Sequence, residues 1–477
     1  METLNKIRSL TRTENLKFDT IGLNDDIIES FISDDKLIRA LENSLNKLSE
    51  LRDDQFYSKI LQLDEDKQIK YIQKDILNFY EEKYINPYVP LSSYGPWIIT
   101  TFGSVIYDVG GYGMLSLGHN PDIIENLSEK QTMTNIMTAQ FIHAKYTSLL
   151  DHEIGSKFSS DDQGHCAIYD KYIFLNSGSE AMALATRLAN TLEHSNNLER
   201  YTVSLKGSFH GRLDLAAKAS GSSRTNYVKH LASFQEKDRN IFIRANNIED
   251  LLEVFNRDIF IDCLILEPVI GEGSPGLALT KEFYERARLL TKERGTLLII
   301  DSVQAGLRAN GHLSVIDYFN EKVMEPDIEV FSKAINAGQC ALSILALSKT
   351  ATNLYKYGIY GNTMTANPRA LELSSKVLEI MSDKEIKQNI QEMGLDFLLM
   401  LKKLEQNKIK IVSCQGTGLL LSLKISDEYD IASIERSFRL KGLGLIHGSD
   451  NSLRFTPNFY IKEAEIDMIY NLLRDFL

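Results

Sequence analysis

The run Leu297-Leu298-Ile299-Ile300 is short, wholly apolar and stops at Asp301. A strand with one wet face would show a polar residue at every second position. Four apolar residues in a row instead fit a strand buried on both faces of a parallel sheet. A second, mainly apolar strand, Ile328 to Phe331 with Glu329 inside it, is followed closely by Lys333. Ligands of open α/β sheets lie outside the carboxyl ends of the strands. The pattern therefore sets a carboxylate and an amine at neighbouring strand ends, where a ligand lies. Taken alone, each has a plainer explanation. Asp301 can cap the next helix, and Lys333 can be a solvated loop lysine.

The chain around these strands alternates. Tyr172–Leu175, Tyr201–Leu205, Ile241–Arg244, Asp262–Leu266 and the run ALSILALS read as strands, separated by helix-like segments. This predicts an α/β fold with a mostly parallel sheet flanked by helices. From Asn367 the texture shifts to long amphipathic helices, Asn367–Met381 and Glu385–Leu404. Short strands near Ile411, Leu419 and Leu453 and a closing helix from Lys462 follow. TTFGSVIYDVGG reads as a hairpin, and GYGMLSLGHNPDII as a glycine-rich loop leading to a helix with Pro121 near its start. Before it, Ile27 to Leu48 and Gln68 to Tyr84 carry apolar residues at helical spacing. The expected organisation is a helical extension over 1–85, a small α+β domain from 86–130 and 370–477, and a large α/β domain over 131–369.

At 477 residues the chain is long enough for more than one lobe. With Lys+Arg 53 against Asp+Glu 65, the net charge of −12 repels phosphate backbones, so nucleic acid is a poor partner. No apolar run approaches the roughly 18 residues that span a bilayer. The first residues, METLNKIRSLTRTENLKFD, lack the apolar stretch of a secretory signal. Cys166, Cys263, Cys340 and Cys414 are scattered without CxxC or metal-ligand spacing, and the histidines show none either. The expectation is a cytoplasmic protein with buried thiols and no metal.

Several short segments carry candidate chemistry. NSGSEA leaves a strand and enters a helix, where free backbone N–H groups, Gly178 and Ser179 suit a phosphate; plain capping by Ser179 explains it equally well. KGSFHGR places Phe209, His210 and Arg212 on a tight loop, an aromatic for a planar ligand and a bidentate clamp for a carboxylate. EPVIGEGS supplies Glu272, and LRFTPNF sets Arg454 on a late strand. No P-loop, HExxH or GxSxG motif is present.

In this order and spacing, the segments resemble the class III (ω-) aminotransferases, fold-type-I pyridoxal-phosphate enzymes of the ornithine, 4-aminobutyrate and lysine type. The resemblance covers about residues 90 to 477. It implies that pyridoxal 5'-phosphate is the cofactor and that Lys333 holds it as an imine. Lys333 then shuttles a proton between substrate carbon and cofactor C4′. Asp301 pairs with the pyridine nitrogen and keeps it protonated. Gly178 and Ser179 hold the phosphate, Phe209 and Val303 pack the ring, His210 and Gln304 lie beside it, and Thr363 reaches the phosphate of a partner subunit. A homodimer with composite sites is thus implied. Tyr112, Arg212, Glu272 and Arg454 match substrate positions: Arg212 clamps a carboxylate of the 2-oxo acid acceptor. Glu272 masks Arg454 while an ω-amine reacts, then swings away for 2-oxoglutarate. The implied reaction is ping-pong transfer from an ω-amino acid or diamine-type donor. The alternative on the same scaffold is an aminomutase or amino-acid racemase. Ser302 replaces an acid usual after the pyridine aspartate, NAGQCALS replaces a glycine-rich segment after the lysine, and Met182 departs from the usual residue after NSGSEA.

Overall fold

The structure, a computed structural model, describes residues 1–125, 127, 139–158, 167–193, 198–235, 237 and 239–477. The first strands are Pro90–Tyr94 (β1), Trp97–Thr100 (β2) and Val105–Asp108 (β3). Next come Lys171–Leu175 (β4), Arg200–Leu205 (β5), Asn240–Ile243 (β6), Phe260–Leu266 (β7), Leu297–Asp301 (β8), Ile328–Phe331 (β9) and Ser343–Leu347 (β10). Ile411–Thr417 (β11), Leu420–Ile425 (β12), Leu443–Gly444 (β13), Ile446–Gly448 (β14) and Ser452–Phe455 (β15) complete the set.

Strands β4 to β10 form a seven-stranded sheet in the order β4-β10-β9-β8-β7-β5-β6. All neighbours are parallel except that β10 runs against both β9 and β4. Every residue of β8, β9 and β10 is buried, as strands covered on both faces require, Glu329 of β9 and Ser343 of β10 included. Helix Lys281–Arg294 is tied to the sheet by a buried ion pair. Arg288 donates to both Asp327 oxygens at 2.7 and 3.1 Å, and Asp327 also accepts the Leu298 N–H. Gly295 ends that helix in the left-handed region, φ +66°, which glycine adopts without a Cβ clash.

Two four-stranded sheets flank this lobe, β1-β2-β3-β13 and β11-β12-β15-β14. The expected hairpin is β2–β3, and the late helices run Pro368–Met381, Lys384–Asn407 and Glu463–Phe476. The loop before Pro121 leads to a short 3₁₀ turn, Asp122–Ile124; the helix expected beyond it falls mainly outside the described residues.

The extension is five helices, Glu2–Thr11, Asp25–Ser30, Asp35–Asp53, Tyr57–Leu61 and Glu65–Gln73. The helical pattern expected to reach Tyr84 stops at Gln73, and Ile76 to Tyr80 is irregular. Leu4, Ile7, Leu37, Leu41 and Leu48 face the core beside β1 to β3. Asp34 accepts the Trp97 indole N–H at 2.6 Å, and buried Glu65 accepts the N–H groups of Asp19 and Thr20. The extension also touches the far end of the chain: Ile21 and Gly22 both donate backbone N–H to Leu440 O at 2.9 Å. Among the described residues no helix is long and apolar enough to cross a membrane.

Candidate active site

A cavity of about 350 Å³ opens at the carboxyl ends of β4, β8 and β9. Asp301 is the last residue of β8 and lies 4% exposed, with Val330 of β9 as its pair. Its Oδ2 is 2.8 Å from His210 Nδ1, and its Oδ1 accepts the Val303 N–H at 3.2 Å. Lys333 follows β9 in the left-handed region, φ +51°. A non-glycine residue there is strained, and such strain clusters at functional sites. The Lys333 ammonium donates to Gln304 Oε1. Burial, then the charge of Arg454, lowers the Lys333 amine to about 8. Lysine therefore spends part of its time as a neutral amine near physiological pH.

The opposite wall is the start of helix Gly178–Asn190. Its N-cap is Ser177 and not Ser179: the Ser177 hydroxyl accepts the Glu180 N–H while the Glu180 carboxylate accepts the Ser177 N–H. The reciprocal pair locks the helix start and leaves the Ser179 hydroxyl to meet the Arg212 N–H at 3.3 Å. Close packing explains two glycines. A Cβ on Gly178 would lie 3.2 Å from Val303, and one on Gly211, φ +98°, would lie 2.7 Å from Ser179 Oγ. The loop carrying Phe209 and His210 is thus pressed onto the helix start.

Arg454 lies on β15, 2% exposed, its backbone paired to Ser422. Its Nη1 donates to Glu272 Oε2 at 2.8 Å and to Gly271 O at 2.7 Å, and its guanidinium carbon sits 5.4 Å from the Tyr112 ring centre. Glu272, Arg454, Asp301, Val303, Gln304, Lys333, Gly178, Ser179, Phe209 and His210 all line the cavity. Three expected residues do not. Tyr112 reaches it through Arg454, Arg212 is exposed at its rim, and Thr363 is exposed outside the lining, on the loop whose Asn362 donates to Glu180 at 2.9 Å.

Two buried acids had drawn no role from sequence. Glu267, at the end of β7, accepts the Phe209 N–H at 3.2 Å and the Gly271 N–H at 3.1 Å. Burial, with Asp301 beside it, pushes its carboxyl well above the usual range. Its only signal was a charged residue closing an apolar strand. Glu329 sits inside β9 and accepts four hydrogen bonds, from Ser302 (2.5 Å), Ser314 (2.6 Å), Tyr169 (2.7 Å) and the Val315 N–H (2.8 Å). Where the resemblance has an acid after Asp301, the chain has Ser302, whose hydroxyl meets this carboxylate of the neighbouring strand. Beyond Lys333, the substituted segment brings Asn336, Gly338, Cys340 and Ala341 to the cavity wall. Burial raises the Cys340 thiol to about 12, so little of it is thiolate at neutral pH.

Residues 80–477 match the family model described as Aminotransferase class-III. The chain belongs to the class-III aminotransferases. Its relatives include the acetylornithine aminotransferase of Aquifex aeolicus (strain VF5), 26% identical over 376 residues, 77% of this chain and 91% of that protein. The ornithine aminotransferase of Staphylococcus epidermidis is 26% identical over 407 residues, 82% and 96% of the two chains. Among solved structures, an ornithine aminotransferase from Toxoplasma gondii, with partial occupancy of PLP at its active site, superposes with a TM-score of 0.75. It is 21% identical, over 88% of this chain and 97% of that one. The fold is that of pyridoxal-phosphate-dependent aminotransferases, and this class-III aminotransferase is an enzyme that uses pyridoxal 5'-phosphate. Residues 1–79 lie outside the matched segment.

The residues present fit that cofactor. His210 Nε2 and Gln304 Nε2 are buried polar atoms without a partner among the described residues, both beside the cavity. Buried orphans of this kind call for a ligand or water to satisfy them. A helix N-terminus for an anion, a carboxylate for a cationic ring nitrogen and an amine for a carbonyl converge on one space.

Proposed function

We propose that this class-III aminotransferase moves the amino group of an ω-amino acid or diamine-type donor to a 2-oxo acid, with 2-oxoglutarate as acceptor. The observation that carries the reading is the Glu272–Arg454 pair at 2.8 Å on the wall that Lys333 also lines. Arg454 is 3% and Glu272 31% exposed in their side chains, so the acid has room to leave and the arginine does not. With Glu272 in place, the pair is neutral and accepts a donor that reacts through a distant amine. With Glu272 displaced, Arg454 offers a bidentate fork to the α-carboxylate of the 2-oxo acid. An isomerase has no need of two pocket states, because substrate and product have the same charges. The donors are suggested by the names of the relatives, ornithine and acetylornithine aminotransferases.

Bound pyridoxal phosphate supplies an electron sink for the pair released at the donor's amino-bearing carbon. The chain's own groups do the rest. Lys333 Nζ, lowered towards neutral pH, holds the cofactor in the resting enzyme and moves the proton off and back onto carbon. Asp301 presents a carboxylate to the ring nitrogen, and its contact with His210 fixes its orientation. Gly178 and Ser179 offer helix N-terminal N–H groups and a hydroxyl to the phosphate. Phe209 and Val303 bracket the ring, and Gln304 orients the Lys333 amine. Tyr112 backs Arg454.

Thr363 is exposed and lies off its own cavity, which supports its serving the phosphate of a second subunit in a homodimer. The three-part division into a 1–85 extension, a small domain of 86–130 and 370–477, and a large domain of 131–369 remains the organisation we propose, in the cytoplasm. The test is a half-reaction screen. Amine donors are mixed with cofactor-loaded enzyme without acceptor, and the visible band of the lysine-linked cofactor is followed. An ω-amine donor should bleach it and leave pyridoxamine phosphate. Scrambling of a chiral amino acid without net amine transfer overturns the reading.

A further inference from the structure

The irregular segment after helix Glu65–Gln73 is rich in exposed apolar residues: Ile76 is 55%, Leu77 102% and Phe79 70% exposed. The segment is shaped locally, by Ile76 N–H to Gln73 O and by the Asn78 amide to the Gln73 side chain. Its last apolar residue reaches the rim of the active site. The Arg212 guanidinium lies 5.2 Å from the Phe79 ring centre and 5.4 Å from that of Phe209. Tyr80 packs edge-on to Phe79 with centroids 4.8 Å apart.

An arginine within cation–π distance of two rings is held by both and keeps N–H edges free for a ligand. Arg212 uses one edge to donate to the Tyr227 hydroxyl at 3.3 Å. Among the described residues no carboxylate lies within ion-pair distance of it. A bare exposed arginine samples many rotamers, and ordering it costs binding energy. The two rings remove much of that cost beforehand and displace water from the guanidinium faces. Phe209 belongs to the segment shared with the family; Phe79 does not, since the family match begins at residue 80.

We infer that Phe79, supplied by the extension, is a specificity-determining residue for the acceptor: it fixes Arg212 in the pose that receives the distal carboxylate of a dicarboxylic 2-oxo acid. The inference rests on the reading of Arg212 as the acceptor's carboxylate clamp. Phe79 is largely exposed, so replacing it leaves the core intact.

The test uses full-length, cofactor-loaded enzyme and 2-oxoglutarate. An exposed cation–π contact corresponds to roughly a two- to fivefold change in binding. Phe79→Ala should raise the KM for 2-oxoglutarate by about that factor. The kcat and the donor half-reaction should stay at wild-type values, and Phe79→Tyr, which keeps the ring, should behave as wild type. Arg212→Lys is the control for the underlying reading and should raise the same KM. If Arg212→Lys raises it and Phe79→Ala does not, the inference about Phe79 is overturned alone. If neither variant moves it, the clamp reading goes too. Equal effects of Phe79→Ala on donor and acceptor halves, or failure of Phe79→Tyr to rescue, also overturn the inference, because the ring would then act only on local structure.

Discussion

Ser302 donates its hydroxyl to the buried carboxylate of Glu329 at 2.5 Å, across the boundary between β8 and β9. These are the two strands whose ends carry Asp301 and precede Lys333. Where the resemblance has an acid beside Asp301, this chain has a serine that donates to a carboxylate on the neighbouring strand. Glu329 thereby ties β9 to Tyr169 and to the turn at Ser314–Val315.

Glu329→Val removes the acceptor for four buried donors. Each stranded donor costs free energy, so stability should fall by roughly 3–5 kcal/mol in denaturant unfolding. Adding Ser302→Glu in the Glu329→Val background returns a carboxylate to the same space and should recover part of the loss. A single variant as stable as wild type would show that the network contributes nothing.

Lys333→Ala should retain the fold and lose the visible band of the lysine-linked cofactor, with turnover down by roughly 10²- to 10⁴-fold or more. Persistence of the band would mean that another amine holds the cofactor. Asp301→Ala should bind cofactor weakly and lose most activity, because the His210 ring loses its partner and the ring nitrogen its counter-charge.

Cofactor incorporation into the stripped enzyme has a defined pH dependence. The neutral amine is the nucleophile, and burial lowers Lys333 to about 8 from the 10.5 of a free lysine. The neutral fraction grows as pH rises, so the incorporation rate should climb through a midpoint near 8. A stopped-flow rate that climbs only near 10.5 would show that Lys333 is not desolvated in solution.

Glu272→Gln leaves Arg454 without its charge partner. The exposed arginine fork should bind α-carboxylates in both half-reactions. The expected outcome is a lower KM for the 2-oxo acid and a several-fold loss of preference for ω- over α-amines, of the order that one charge-assisted contact supplies. Unchanged donor preference in paired half-reactions would show that Glu272 does not gate the arginine.

The sheet was legible because burial on both faces leaves a mark in sequence: an unbroken apolar run with a charge at its end, as at Asp301. The NSGSEA helix start was legible for a similar reason, although the capping partner was one serine earlier than read. The reciprocal bond with Glu180 settles that choice, and it depends on three-dimensional reach. Glu329 was illegible, because an acid inside an apolar strand has meaning only beside donors that lie 14 to 160 residues away in the chain. Phe79 was illegible too. It falls in a stretch read as helical, and its partner Arg212, more than a hundred residues on, is brought to it only by the tertiary fold.

The docking of the extension sets an order of events. The N–H groups of Ile21 and Gly22 are satisfied by Leu440, and Tyr84 O accepts from the Arg439 guanidinium at 2.8 Å. The helices of the extension find β1 to β3 within about a hundred residues, as the Asp34–Trp97 bond shows. The tie to Leu440 is made only after some four hundred further residues have followed Gly22. Contacts of such long sequence separation form slowly. A chain that stops short of Leu440 therefore keeps the helices on β1 to β3 and leaves the Ile21 and Gly22 N–H groups without their acceptor.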